Sequence, residues 1–204
     1  MSEHLCRAPR RPIAPEQARR IADAFLAAPR HVPTARTTAA YAELGAQTSR
    51  WYQRLTGAAA RRPIRVVITH CREPYTTAAE LSESVRRDAV LELWPTSRDP
   101  DRRHPLLDTT VGGAFDRLRS VHDIVSHGWL GHEFDADGEF SAWLFEDRMY
   151  TGLARWALAT ELHGEHSVQW TTQDLADHKA VLLDRALLRS SRGGAPCARW
   201  LPPR

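Results

Sequence analysis

The sequence predicts a mainly α fold: a single helical domain with a small two-stranded β element. Apolar residues recur at steps of three and four over most of the chain, one β-branched stretch bounded by prolines interrupts them, and no internal repeat divides the 204 residues. At 42% hydrophobic and 26% charged, the chain carries enough apolar surface for one core and is not disordered throughout. The helical domain is expected over 15–189. A flexible basic tail is expected at 1–14 and a second flexible tail at 190–204, because both stretches carry proline, glycine or arginine without apolar periodicity.

The first helix is expected from Pro15, a residue suited to a first helical turn, with Ile21, Ala24, Phe25 and Ala28 on one face and Pro29 and Pro33 closing it. A second, over 38–55, repeats the pattern with Tyr41, Leu44, Thr48, Trp51, Tyr52 and Leu55. IRVVITH at 64–70 reads as a strand, and LELW at 91–94 supplies its partner after a helix-like TTAAELSESVRRDAV, giving a strand-helix-strand unit. TSRDPDRRHPLLDTTVGG is expected to be a long polar loop. From Ala114 onward the pattern is helical again, through AFDRLRSVHDIVSH, GEFSAWLFEDRMY, LARWALATELHGEH and TQDLADHKAVLLDRALLR.

Composition also excludes some functions. No run of apolar residues reaches the roughly 18–20 that a membrane span requires, and the opening residues lack the apolar core of a secretory signal, so a cytoplasmic protein is expected. The formal charge is +3, but Lys179 is the only lysine and the arginines are dispersed, which argues against a dedicated nucleic-acid face. Cys6, Cys71 and Cys197 are too few and too scattered for a disulfide framework or a metal clip and are expected to be free thiols.

The chemistry concentrates in the C-terminal half. Phe115, Leu118, Val121, His122 and Val125 share a helical face, so His122 points inward. His127 follows five residues later, roughly 140° away on an ideal helix at about 100° per residue, so both histidines can face one ion only through a π-bulge or a helix end near Ser126 and Gly128. Asp123 lies beside the pair, as a carboxylate that orients a histidine ligand does. Two histidines with one carboxylate and open positions suit iron(II).

The carboxylate has several candidates: Glu139, Glu146, Glu161 and Glu165, with Asp135 and Asp137 in a turn-like segment. Glu161 stands at the margin of the apolar face Leu153, Trp156, Ala157 and Thr160, where an acid costs several kcal/mol unless paired or metal-bound. It is the preferred ligand. Glu139 is expected as its partner or an additional ligand, which requires a fold-back at Thr151-Gly152, since one straight helix would hold the two acids roughly 33 Å apart. His132, His163 and His166 are further candidates. HExxH and ExxH motifs are absent, and so is a glycine-rich phosphate cradle.

The segment His122-Asp123-Ile124-Val125-Ser126-His127 resembles the His-(Glu/Asp)-x-x-Gly-His segment of the pterin-dependent aromatic amino acid hydroxylases, with Ser126 in place of the glycine. In that family two histidines and a later glutamate bind iron(II), and Glu161 is the position that matches the glutamate. No pterin-binding segment is recognisable, so the resemblance implies the metal and leaves the cosubstrate open. FDRLRSVHDIVSH, GEFSAW, MYTGLARWALATE and LHGEHS also resemble a little-characterised family of small bacterial and phage proteins.

The expected function is therefore a mononuclear non-heme iron(II) oxygenase acting with dioxygen on a small, amino-acid-like molecule. His122, His127 and Glu161 would hold the metal, with Asp123 and Glu139 as catalytic acids or bases. Trp143, Trp156 and Tyr150 are weighed as pocket walls against core packing, and Arg148 or Arg155 as a partner for a substrate carboxylate. The alternatives are a zinc or other divalent-metal hydrolase on the same ligands and a metal-free interaction or nucleic-acid-binding module.

Overall fold

The computed structural model describes residues 10–99 and 102–192. The chain is mainly α with one small sheet. Helix α1 (Pro15–Ala27) begins at the proline that the sequence placed in a first turn, and α2 (Ala35–Thr56) begins after Thr34, whose side chain accepts a hydrogen bond from Thr37 N. Strands β1 (Arg65–Ile68) and β2 (Val90–Leu93) pair in parallel, Arg65 opposite Val90. Between them lies α3 (Ala78–Glu83), capped by Thr77 and running into a π-helical turn over Ser84–Asp88.

The C-terminal half follows as α4 (Ala114–His122), α5 (Ala136–Glu146), α6 (Ala154–Leu158), α7 (Glu165–Thr172) and α8 (Arg185–Arg192). Two further π-helical segments are built in: Asp123–Trp129 continues α4, and Ala159–Gly164 joins α6 to α7. Asp135 caps α5, accepting from Gly138 N at 2.8 Å. Gly152, at φ +62, turns the chain between α5 and α6 where the fold-back was expected.

Two apolar clusters hold these elements. The larger joins Phe25, Tyr41, Leu44, Leu118, Trp143 and Leu158, and the smaller packs Leu81, Val85 and Leu91 against Val121, Ile124 and Val125. Each such side chain contributes about 1.5–3 kcal/mol when fully buried. The helix α4 and its π-helical continuation therefore lie between the clusters, with a core on each side. Gly128 lets the π-helical segment approach the π-helical turn that follows α3 closely: a Cβ there would sit 2.9 Å from Val85 Cγ1.

Several expectations need correction. The run 172–189 is not one helix, because Gln173 adopts a left-handed conformation at φ 65 and ends α7. Ala180 then bonds in a bridge-like arrangement beside His31, donating to Arg30 O and accepting from Val32 N. Residues 10–13, expected within the N-terminal tail, lie against α5: Arg11 N donates to Ser141 Oγ and Ile13 N to Asp137 Oδ1. Helix α8 runs past 189 into the stretch expected as the second tail. Cys71 is an exposed free thiol. Cys6, Cys197, Trp200 and most of both expected tails lie outside the described residues. No helix among the described residues is long and apolar enough to cross a membrane.

Candidate metal centre

The π-helical segment following His122 resolves the five-residue spacing. Inserting i to i+5 geometry brings His127 to the same side as His122, and their Nε2 atoms stand 3.0 Å apart. Both rings are fixed from behind. His122 Nδ1 donates to Glu146 Oε1 at 2.7 Å, and His127 Nδ1 donates to the carbonyl of His132 at 2.7 Å. Ser126, within the same segment, adds a second donor to Glu146 Oε1 at 2.5 Å. With both Nδ1 positions carrying protons, two neutral imidazoles would turn lone pair against lone pair across 3.0 Å. Such a contact needs a positive charge between the nitrogens.

Glu139 faces the same point from the first turn of α5. Its Oε2 is 3.2 Å from His122 Nε2, and its Oε1 is 3.5 Å from His127 Nε2. His166, on the first turn of α7, brings Nδ1 to 3.1 Å from Glu139 Oε2. Glu139 Oε2 and His166 Nδ1 are nevertheless buried without a hydrogen bond, since neither is aimed along a bonding direction of the other. A helical core that leaves a carboxylate oxygen and an imidazole nitrogen unpartnered around facing lone pairs fits a cation, and the His/Glu groups here could hold one.

The electrostatics agree. Burial opposes charge on His122, yet Glu146 and Glu139 outweigh it and hold the imidazole pKa well above its usual 6.5. Burial likewise opposes charge on Glu139, but His166, His127 and His122 outweigh it and hold the carboxyl below its ordinary range. In the absence of an ion, a proton on His122 therefore fills the gap between the nitrogens. His132 behaves differently: burial, with His127 beside it, pulls it down to about 4. It serves the site through its backbone carbonyl.

Asp123 lines the cavity in front of the pair and offers an oxygen within 4.8 Å of the ring nitrogens. Glu161 is brought to the same cavity but into a different group. Its Oε1 accepts from Tyr41 Oη at 2.7 Å and from His104 Nε2 at 3.2 Å, and it clusters with Glu165 and His178. The acid that meets His122 and His127 is thus Glu139, with Glu161 next along the cavity wall. The turn of α4 into the π-helical segment and the fold-back at Gly152 explain the difference, because α5 lies against the histidines while the Ala159–Gly164 segment faces Tyr41.

The cavity encloses about 360 Å³. Its cations are Arg72, Arg102 and Arg119; Arg148 is exposed, and Arg155 pairs with Asp147 away from it. Trp143 and Tyr150 belong to the core, and Trp156 carries the guanidinium groups of Arg36 and Arg185 over its ring, so the apolar wall is built instead from Phe115, Leu118, Phe134 and Leu162. His163 stacks on Trp143 with ring centroids 4.2 Å apart and also serves the core.

Sequence reasoning missed His104, His178 and Tyr41. His104 sat in a segment read as polar loop, and its only signal was a histidine before a Pro-Leu-Leu run. Glu165 was weighed as a candidate ligand, whereas His178 was concealed in a stretch read as amphipathic helix. Comparison with models of known families, with curated proteins and with solved structures finds no match to this chain.

Proposed function

We propose that the chain is a mononuclear non-heme iron(II) oxygenase of small, amino-acid-like molecules, with His122, His127 and Glu139 holding the ion. The observation that carries this reading is the pair of facing Nε2 atoms, 3.0 Å apart, each on a ring whose Nδ1 already donates elsewhere. When bound, iron(II) held by two histidines and one carboxylate would activate dioxygen and leave positions for it and for substrate, with the two further electrons that hydroxylation consumes drawn from an external organic reductant.

The chain's own residues do the rest. Glu146 and the His132 carbonyl fix the tautomers that present both lone pairs. Phe115, Leu118, Phe134 and Leu162 exclude water from one wall of the cavity, and the guanidinium groups of Arg102 and Arg119 give a carboxylate-bearing molecule a counter-charge. Asp123, half-buried, lines the same cavity and would act there on a bound molecule as acid or base.

A divalent-metal hydrolase is favoured by one observation, the third imidazole: His166 makes the donor set richer in nitrogen than an iron triad requires. The two readings separate in one experiment. The chelated protein is loaded anaerobically with iron(II) or with zinc, then assayed for oxygen uptake with phenylalanine, tyrosine or tryptophan in the presence of ascorbate or a reduced pterin as reductant, and for hydrolysis of an activated ester. Amino-acid-dependent oxygen uptake by the iron form, lost in Glu139→Ala, supports the oxygenase. Ester hydrolysis by the zinc form with no oxygen uptake by the iron form overturns it.

A further inference from the structure

The Glu161 group has no part in holding the ion proposed above, and its arrangement is that of a site in its own right. We infer that Glu161, Glu165 and His178 bind a second divalent cation on the wall of the same cavity. Their ligand atoms lie within 4.8 Å of one another. The Glu161 side chain is 2% exposed, and its two oxygens are treated unequally. Oε1 takes Tyr41 Oη at 2.7 Å and His104 Nε2 at 3.2 Å, while Oε2 is buried with no partner. An unpartnered carboxylate oxygen in a cavity wall, beside a second carboxylate and an imidazole, is a donor set for a divalent metal.

The group is also braced as metal ligands are. Leu106 N and Leu107 N both donate to His104 Nδ1, at 3.0 and 2.7 Å, which leaves the proton on Nε2 and directs it at Glu161. His104 is therefore a positioning residue. His178 Nδ1 lies 2.8 Å from Glu165 Oε1, and the His178 ring packs against Phe115. Arg102 and Arg119 share the cavity and act electrostatically on Glu165 and His178, while Arg102 Nη2 donates to Ala176 O and Arg119 Nη1 to Trp94 O. Glu165 and His166 are consecutive, so the first turn of α7 supplies one residue to each group.

This inference stands apart from the oxygenase reading, and metal stoichiometry tests it without any activity. The full chain, stripped with chelator, is brought to equilibrium with cobalt(II) or zinc and its metal content is measured beside that of His122→Ala, Glu161→Gln and His178→Ala. Glutamine keeps an acceptor for Tyr41 and His104, so Glu161→Gln is the variant least disturbing to the fold. Two ions per chain, falling to one in each variant, support the second site. A wild-type value of one that survives Glu161→Gln and His178→Ala but not His122→Ala overturns it and leaves the first site standing. A value of one that survives His122→Ala but not Glu161→Gln upholds the second site and overturns the first. Two ions retained in both Glu161→Gln and His178→Ala, or no ion in the wild type, also overturn it.

Discussion

Glu146 is the residue on which the proposed metal centre depends without contacting the ion itself, and replacing it with glutamine isolates that role. The carboxylate is fully buried, and its Oε1 accepts from His122 Nδ1 at 2.7 Å and from Ser126 Oγ at 2.5 Å. Glutamine has the same shape and its carbonyl oxygen still accepts both bonds, so the folded chain should lose less than with an apolar replacement, although the amide NH2 takes the place of Oε2, which is buried without a partner. What it loses is the negative charge that makes His122 a strong donor. Removing such a partner from a metal-ligating histidine lowers affinity by about 10- to 100-fold, or about 1.4–2.7 kcal/mol. Glu146→Leu differs in kind: it leaves the His122 N–H and the Ser126 O–H without acceptors, at about 1–3 kcal/mol each, and should lower stability as well. Competition for zinc against a chromophoric chelator, with thermal melts of the stripped proteins, reads both quantities. Zinc affinity in Glu146→Gln equal to wild type within the error of the competition, with the melt unchanged, would refute the reasoning.

Three further outcomes follow from the geometry. Glu139→Ala should abolish retention of the first ion through desalting, whereas Glu161→Ala should leave that ion bound; metal analysis of the two variants checks the order. The raised pKa of His122 sets the pH dependence of loading. The stripped protein holds a proton there above the usual 6.5 and the ion must displace it, so apparent affinity rises with pH, by up to about tenfold per unit, until the pH passes the folded value. The same proton stabilises the stripped fold below 6.5, and that contribution is lost as pH rises through the raised pKa, so melts of the stripped protein should decline over the window in which loading improves. Asp116, buried on α4, accepts from Thr96 N at 2.9 Å, Thr96 Oγ1 at 2.8 Å and Gly112 N at 3.0 Å. Asp116→Ala should cost about 2–4 kcal/mol in urea unfolding, because two backbone N–H groups lose their acceptor.

Much of this was legible in local patterns. The five-residue interval between His122 and His127 demanded an irregular helix, and the π-helical segment Asp123–Trp129 provides it. The strand pair was marked by β-branched residues between prolines, and α2 by a continuous apolar face; both depend on contacts close in sequence or on a single period. The carboxylate was harder, because local pattern favours Glu161, at the margin of an apolar face, over Glu139, at the start of a helix after a turn. Only the packing of α5 against the π-helical segment, set by a turn at Gly152, decides which of them meets the histidines. His104 and His178 were invisible for the same reason. The first reaches Glu161 from a loop 57 residues away, and the second sits in a stretch whose helical periodicity yields to backbone pairing with residues 30–32.

A crystal of the chelated protein soaked with cobalt(II), with diffraction measured on both sides of the cobalt absorption edge, places the ions directly. The account predicts an anomalous peak about 2.0–2.2 Å from His122 Nε2, His127 Nε2 and a Glu139 oxygen. No peak among these atoms in a crystal whose histidine rings keep their positions, or a peak bound by neither histidine, would contradict it.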